Sequence, residues 1–138
     1  ESIQIKLNKD YFSLNRDIIV SFSYCVPSGS SFQARTQFDP FDDLEEKISN
    51  VSNNFDLICM GDYNSRTAEK PDYVAADDNT EIPVMSSHFA PDTIATYPRG
   101  NLDLGTNTYG DRLLELCQSV PLRIVNGRKL GDILGTYT

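Results

Sequence analysis

The chain has 138 residues, 39 % hydrophobic and 23 % charged, which suits one domain able to bury roughly two-thirds of its unfolded surface. It has no run of eighteen apolar residues and no basic-then-apolar start, so neither a transmembrane helix nor a signal peptide is read from it. The net charge of −8 argues against a phosphate-rich partner only if it is evenly spread, and it is not: residues 39 to 81 carry 12 acidic and 3 basic side chains, leaving the remainder at +1.

Ile3, Ile5 and Leu7 alternate with Gln4 and Lys6, the period-two pattern of a half-buried edge strand. "DIIVSFSY" (17–24) predicts a second strand, rich in β-branched and aromatic residues, that ends at Tyr24 before the breakers Pro27, Ser28, Gly29 and Ser30. Asp39-Pro40 supplies an N-cap and a first-turn proline, and Asp42 and Asp43 sit where the helix dipole favours them. Phe41, Leu44, Ile48 and Val51 follow at helical spacing, which predicts an amphipathic helix of about four turns closed by Asn53-Asn54. "FDLICMG" (55–61) is the next strand. Strand, crossover helix and strand make a parallel βαβ unit, so both strands end at the carboxyl edge, where ligands bind in open α/β sheets. Topology alone then brings Tyr24 and the pair Asp62/Asn64 to one rim.

From residue 65 to about 109 the chain has four prolines, many small polar residues and no sustained period, the pattern of a long irregular loop. "YGDRLLELCQ" resumes as a helix with Leu113, Leu114 and Cys117 on its buried side, and Pro121 ends it. "LRIVN" reads as a short strand, Asn126-Gly127 as a turn, and "ILGTYT" as a further strand within which the sequence stops. It also opens inside an alternating pattern without an initiator Met, so both ends read as cut. Cys25, Cys59 and Cys117 are odd in number, far apart and set in apolar stretches, which suggests neither a disulfide framework nor a zinc motif and fits a reducing compartment.

In "DLICMGDYNSR" (56–66) a buried strand runs into Gly61-Asp62-Tyr63-Asn64. In an extended segment, residues two apart face one side, so Asp62 and Asn64 would present a carboxylate and an amide to the same point, with Gly61 clearing the approach. Such a pair suits phosphoryl chemistry, the carboxylate taking a proton from water and the amide binding a phosphate oxygen or holding the carboxylate. The same four residues also read as a plain turn. Tyr24, at a strand end, reads equally as a half-buried core residue with its hydroxyl in water.

"LICMGDYNSRTA" resembles the "GDFNAR" segment of the endonuclease/exonuclease/phosphatase superfamily, Mg²⁺-dependent phosphodiesterases that include apurinic endonucleases and deoxyribonuclease I-like enzymes. "SYCVPSGS" is similar to that family's "YxPP-G-S" strand end. The run "RGNLDLGTNTYGDRLLELC … NGR … GD … G-T" is similar to the form found in endonuclease domains of non-LTR retrotransposons. The resemblance covers essentially the whole chain. It implies a four-layer α/β sandwich, incomplete at both ends, spanning residues 1–138 with a long irregular loop at about 65–108. It implies Asp62 as general base, Asn64 as phosphate-orienting residue and Tyr24 as the tyrosine that contacts phosphate, with Asp62 and Asn64 as second-metal ligands. Arg99, Asp103, Asn107 and Gly110 match the retrotransposon-type pattern, with Asn107 or Thr108 favoured as a helix cap.

The implied cofactor is Mg²⁺, with Mn²⁺ as a substitute. The implied partner is DNA, in a polyprotein that carries a reverse transcriptase and acts in the nucleus. The family's metal-ligand glutamate aligns before Glu1 and its "SDH" histidine beyond Thr138, so the 138 residues alone are expected to be inactive. His88 lies in the irregular loop and reads as solvated, not as a replacement. Two other functions stay open: a phosphatase of small phosphorylated ligands, which the acidic excess favours, and a non-catalytic remnant that binds a metal or a partner.

Overall fold

The computed structural model describes residues 2–36, 38–51, 54–75, 92, 93, 95–128 and 132. The chain is mixed α/β, with β1 (Ser2–Leu7), α1 (Lys9–Phe12), β2 (Asp17–Tyr24), α2 (Ser31–Thr36), α3 (Pro40–Ser49), β3 (Phe55–Asp62) and α4 (Thr108–Ser119) in that order. It divides into two compact units, Glu1–Ser65 and Arg66–Thr138. Among the described residues no helix is long and apolar enough to cross a membrane.

In the first unit the three strands form one sheet in the order β1-β2-β3. β1 runs antiparallel to β2, and β2 parallel to β3 as the βαβ pattern predicts. α3 starts at the predicted cap: the Asp39 carboxylate accepts from the Phe41 amide at 2.8 Å, with Pro40 in the first turn. Phe41, Leu44 and Ile48 are buried, each contributing about 2 kcal/mol over the exposed side chain. The helix is shorter than its apolar spacing suggests. It stops at Ser49 with Asn50 as C-cap, leaving Val51 beyond it, because the Ser and Asn residues of this stretch are weak helix formers. Of the expected stop Asn53-Asn54, Asn53 lies outside the described residues. Two short helices carry no apolar period that would announce them: α1, where the Asn8 side chain caps the Asp10 amide, and α2.

The register sorts the sheet into two unequal faces. One carries Ser2, Ser23 and Gly61 in a row and Gln4, Ser21 and Cys59 in the next. Ser21 is fully buried and Ser23 nearly so, and Lys47 of α3 reaches Ser2 on this face with a 2.8 Å hydrogen bond. The other carries the rows Ile3, Phe22, Met60 and Ile5, Val20, Ile58. Of these six only Val20 is buried, and Ile3 is 69 % exposed. The expected half-burial of Ile3 and Ile5 is therefore corrected: alternation identifies which residues share a face, but it is the serine face that is buried, with Lys47 of α3 reaching it.

In the second unit α4 is the only helix among the described residues. It buries Tyr109, Gly110, Leu114, Leu116 and Cys117, so Leu116 joins the predicted buried side and Leu113 is only half-buried. The irregular segment before α4 has no ladder among its described residues beyond a single bridge between Thr67 and Thr106. The strand expected at "LRIVN" does not form: residues 122–125 pair with no strand, and the Ile124 amide donates to the Asp72 carboxylate at 2.6 Å. The turn at Asn126-Gly127 is present, with Gly127 at φ 77°. "ILGTYT", the middle of the loop and His88 lie outside the described residues.

Candidate active site

β2 and β3 end side by side, with Tyr24 and Asp62 as the last register pair. The ladder extends one residue further, the Cys25 amide donating to the Asp62 carbonyl at 2.8 Å. Gly61 is required by backbone and not by an approaching ligand. Its φ is 132°, and a Cβ there would lie 1.9 Å from the Ser23 carbonyl oxygen of β2.

The segment after Asp62 is not extended, which corrects the expectation that Asp62 and Asn64 present themselves to one side as strand neighbours. Asp62 Oδ1 accepts the Asn64 amide at 2.8 Å, an Asx turn, and Asn64 sits in the left-handed region at φ 49°, which asparagine tolerates. Asn64 Nδ2 then donates to the Cys25 carbonyl at 2.8 Å. Cys25 is thus held from both sides: its N–H by the Asp62 carbonyl, its C=O by the Asn64 amide. Asp62 and Asn64 do come together, through the turn and this latch. Sequence reasoning missed Cys25, although a parallel register places the residue after one strand beside the end of the next.

Asp62 is exposed, and its Oδ2 has no hydrogen-bond or ion-pair partner among the described residues. Tyr24 is half exposed beside it. Burial pushes the thiols of Cys25 and Cys59 up to about 11, which makes them poor nucleophiles at neutral pH. Cys25 and Cys117 are buried and Cys59 is half-buried, and none of the three is in a disulfide.

For Mg²⁺, the rim offers a carboxylate and an amide oxygen, both hard donors of the kind the ion takes alongside water and substrate phosphate. Among the described residues no three His, Cys, Asp or Glu side chains gather around one point that could hold a metal. The donor chemistry fits a partial shell.

Three of the four residues of the retrotransposon-type pattern converge on Arg66. Asp103 takes its guanidinium in a two-point pair, Nε to Oδ2 at 2.8 Å and Nη2 to Oδ1 at 2.7 Å. The Arg66 bond, with the Gly105 amide, holds the Asp103 carboxyl down to about 2. Asn107 is the N-cap of α4, as favoured, and its Oδ1 accepts the amides of Gly110 and Arg66. At Gly110 a Cβ would lie 1.8 Å from the Arg66 carbonyl oxygen. The fourth, Arg99, is buried and donates to Thr67 Oγ1 at 2.5 Å.

Compared with protein-family models, with curated proteins and with solved structures, the chain matches none.

Proposed function

We propose that the chain belongs to a Mg²⁺-dependent phosphodiesterase, a DNA endonuclease domain of a non-LTR retrotransposon polyprotein acting in the nucleus, within a four-layer α/β sandwich. The observation that supports it most is the shared strand end. Asp62 and Tyr24 stand side by side at the carboxyl edge of a parallel pair, with Asn64 latched next to them. In this reading Asp62 Oδ2 takes the proton from an attacking water while Oδ1 stays in the Asx turn that orients it. Tyr24 contacts the phosphate. Asp62 and the Asn64 amide oxygen would hold part of the shell of a Mg²⁺ that supplies charge stabilisation, and further donors come from outside the described residues.

A second reading, a non-catalytic piece, is favoured by the latch itself: the Asx turn closed on the Asp62 carboxylate and the hydrogen bond from the Asn64 amide to the Cys25 carbonyl are sufficient reason for Asp62 and Asn64. Asp62→Asn separates the two, because its amide oxygen still accepts the Asn64 N–H but takes no proton from water. Supercoiled-plasmid nicking with Mg²⁺, by the protein that carries this chain with its flanking sequence, is expected to fall about 10²- to 10⁴-fold with thermal stability kept. Nicking undiminished by the substitution removes Asp62 from the base role.

A further inference from the structure

The second unit contains a buried cation that the phosphodiesterase reading does not use. Arg99 is 4 % exposed. Its Nη2 donates to Thr67 Oγ1 and to the Lys70 carbonyl, its Nε has no hydrogen-bond partner, and it forms no ion pair among the described residues. An isolated guanidinium out of water costs several kcal/mol unless an anion meets it. The neighbouring cations are already matched: Arg128 holds Asp72 in a two-point pair at 2.6 Å, and Lys70 holds Asp111 at 2.6 Å. Arg99 is the one left over among them.

Arg99 also lines a pocket of about 120 Å³, together with Glu69, Lys70, Tyr73 and Arg128 and closed by two prolines. At about 30 Å³ per water this is room for roughly four waters, enough for one tetrahedral oxyanion and too little for a nucleoside. Lys70 and Arg128 also line the pocket but are each held by an aspartate, so Arg99, with its Nε–H unmatched, is the lining cation with a donor to spare for an anion. Glu69, exposed on the same pocket, opposes it. Burial lowers the Arg99 pKa from its ordinary value, and the nearby Asp72 charge, already paired with Arg128, opposes that shift without cancelling it.

We propose that this pocket binds a single phosphate group, free or as a monoester, on Arg99. The site stands or falls independently of Asp62.

The test is thermal stability and calorimetric titration of the 138-residue chain with inorganic phosphate and with glycerol phosphate, against chloride at equal ionic strength. Phosphate is expected to raise Tm and Arg99→Gln to reduce its affinity at least tenfold. Glu69→Gln, a change at an exposed side chain, is expected to tighten it severalfold. Tighter binding of the monoester assigns the site to an ester and equal binding to the free ion; both support the proposal. Where Arg99→Gln does not fold, the Arg99 Nε–H resonance of the unmodified chain decides, because it should move through the phosphate titration. No phosphate effect beyond chloride, an affinity unchanged in Glu69→Gln, or an Arg99 resonance that stays still to saturation overturns it.

Discussion

The first unit is held by backbone, the second by side chains. From Ser2 to Asp62 the peptide groups of three strands satisfy one another, and the ion pairs, such as Lys6 with Asp17 and Arg16 with Asp56, lie at partly exposed positions. The second unit has no sheet among its described residues, and charged side chains take over. Asp72, fully buried, accepts from both Nη atoms of Arg128 and from the Ile124 amide, while Arg128 also donates to the Tyr97 carbonyl and lies over its ring. Arg123 pairs with Asp92 at 2.8 Å. A chain without a ladder still has to satisfy its buried N–H and C=O groups, and here arginine forks and aspartates do so. The difference is one of fragility. A ladder loses a small share when one side chain changes, whereas a buried pair leaves an uncompensated charge.

The largest effect should therefore fall on the second unit. Asp72→Ala is expected to destabilise it by about 3–5 kcal/mol, since Arg128 would be left buried and alone. Urea unfolding followed by hydrogen exchange of the α4 amides measures it, and a loss under 1 kcal/mol would break the contrast. Replacing both partners with apolar residues of like volume should recover most of the loss. Next comes the backbone-held unit at its tightest point. Gly61→Ala, forced to a positive φ against the Ser23 carbonyl, should cost about 2 kcal/mol or more, read as a lowered Tm with β2–β3 amide protection reduced.

Acid sharpens the same comparison. Arg66 keeps the folded Asp103 carboxyl at about 2, below its ordinary 3.8, so this pair contributes stability above pH 4 and loses it as pH falls toward 2. Asp72 follows the same sign: burial alone would raise its pKa, but the Arg128 and Ile124 hydrogen bonds outweigh that and hold it low. Carboxyl-carbon titration should show Asp103 protonating near pH 2, and Asp103→Asn should flatten the acid limb of the stability curve. At the small end, Lys47→Ala removes a half-exposed pair with Asp43 four residues away and the hydrogen bond to Ser2, and should change stability by about 1 kcal/mol or less, read as a small shift in Tm.

What the sequence made legible was local. The bounds of β2, β3 to within one residue, the Asp39 cap and the Asn107 cap each rest on neighbours within a turn or on one short pattern, and the parallel pairing, 38 positions apart, follows from the strand–helix–strand order. The open face of Ile3, Ile5, Phe22, Ile58 and Met60 was not, because alternation names a face without naming its cover. The Asx turn at Asp62 was available as the plain-turn reading, and extended spacing concealed the latch to Cys25, 39 positions away. Asp72 and Arg128 stand 56 positions apart with no period joining them, and "LRIVN" looked like strand because its apolar residues do not reveal that an aspartate takes the Ile124 amide.

The two kinds of strand pairing also set an order in time. β1 meets β2 across a short loop, Leu7 opposite Ile18, whereas every β2–β3 partner lies 38 positions further along the chain, as Tyr24 is to Asp62. Closing the longer loop carries about 1 kcal/mol more chain entropy, and non-local pairing slows folding. The antiparallel pair is therefore expected to assemble first, with β3 docking on it and completing the rim of Asp62, Tyr24 and the Asn64 latch; pulse-labelled hydrogen exchange should protect the β1–β2 amides before those of β3, and simultaneous protection would refute that order.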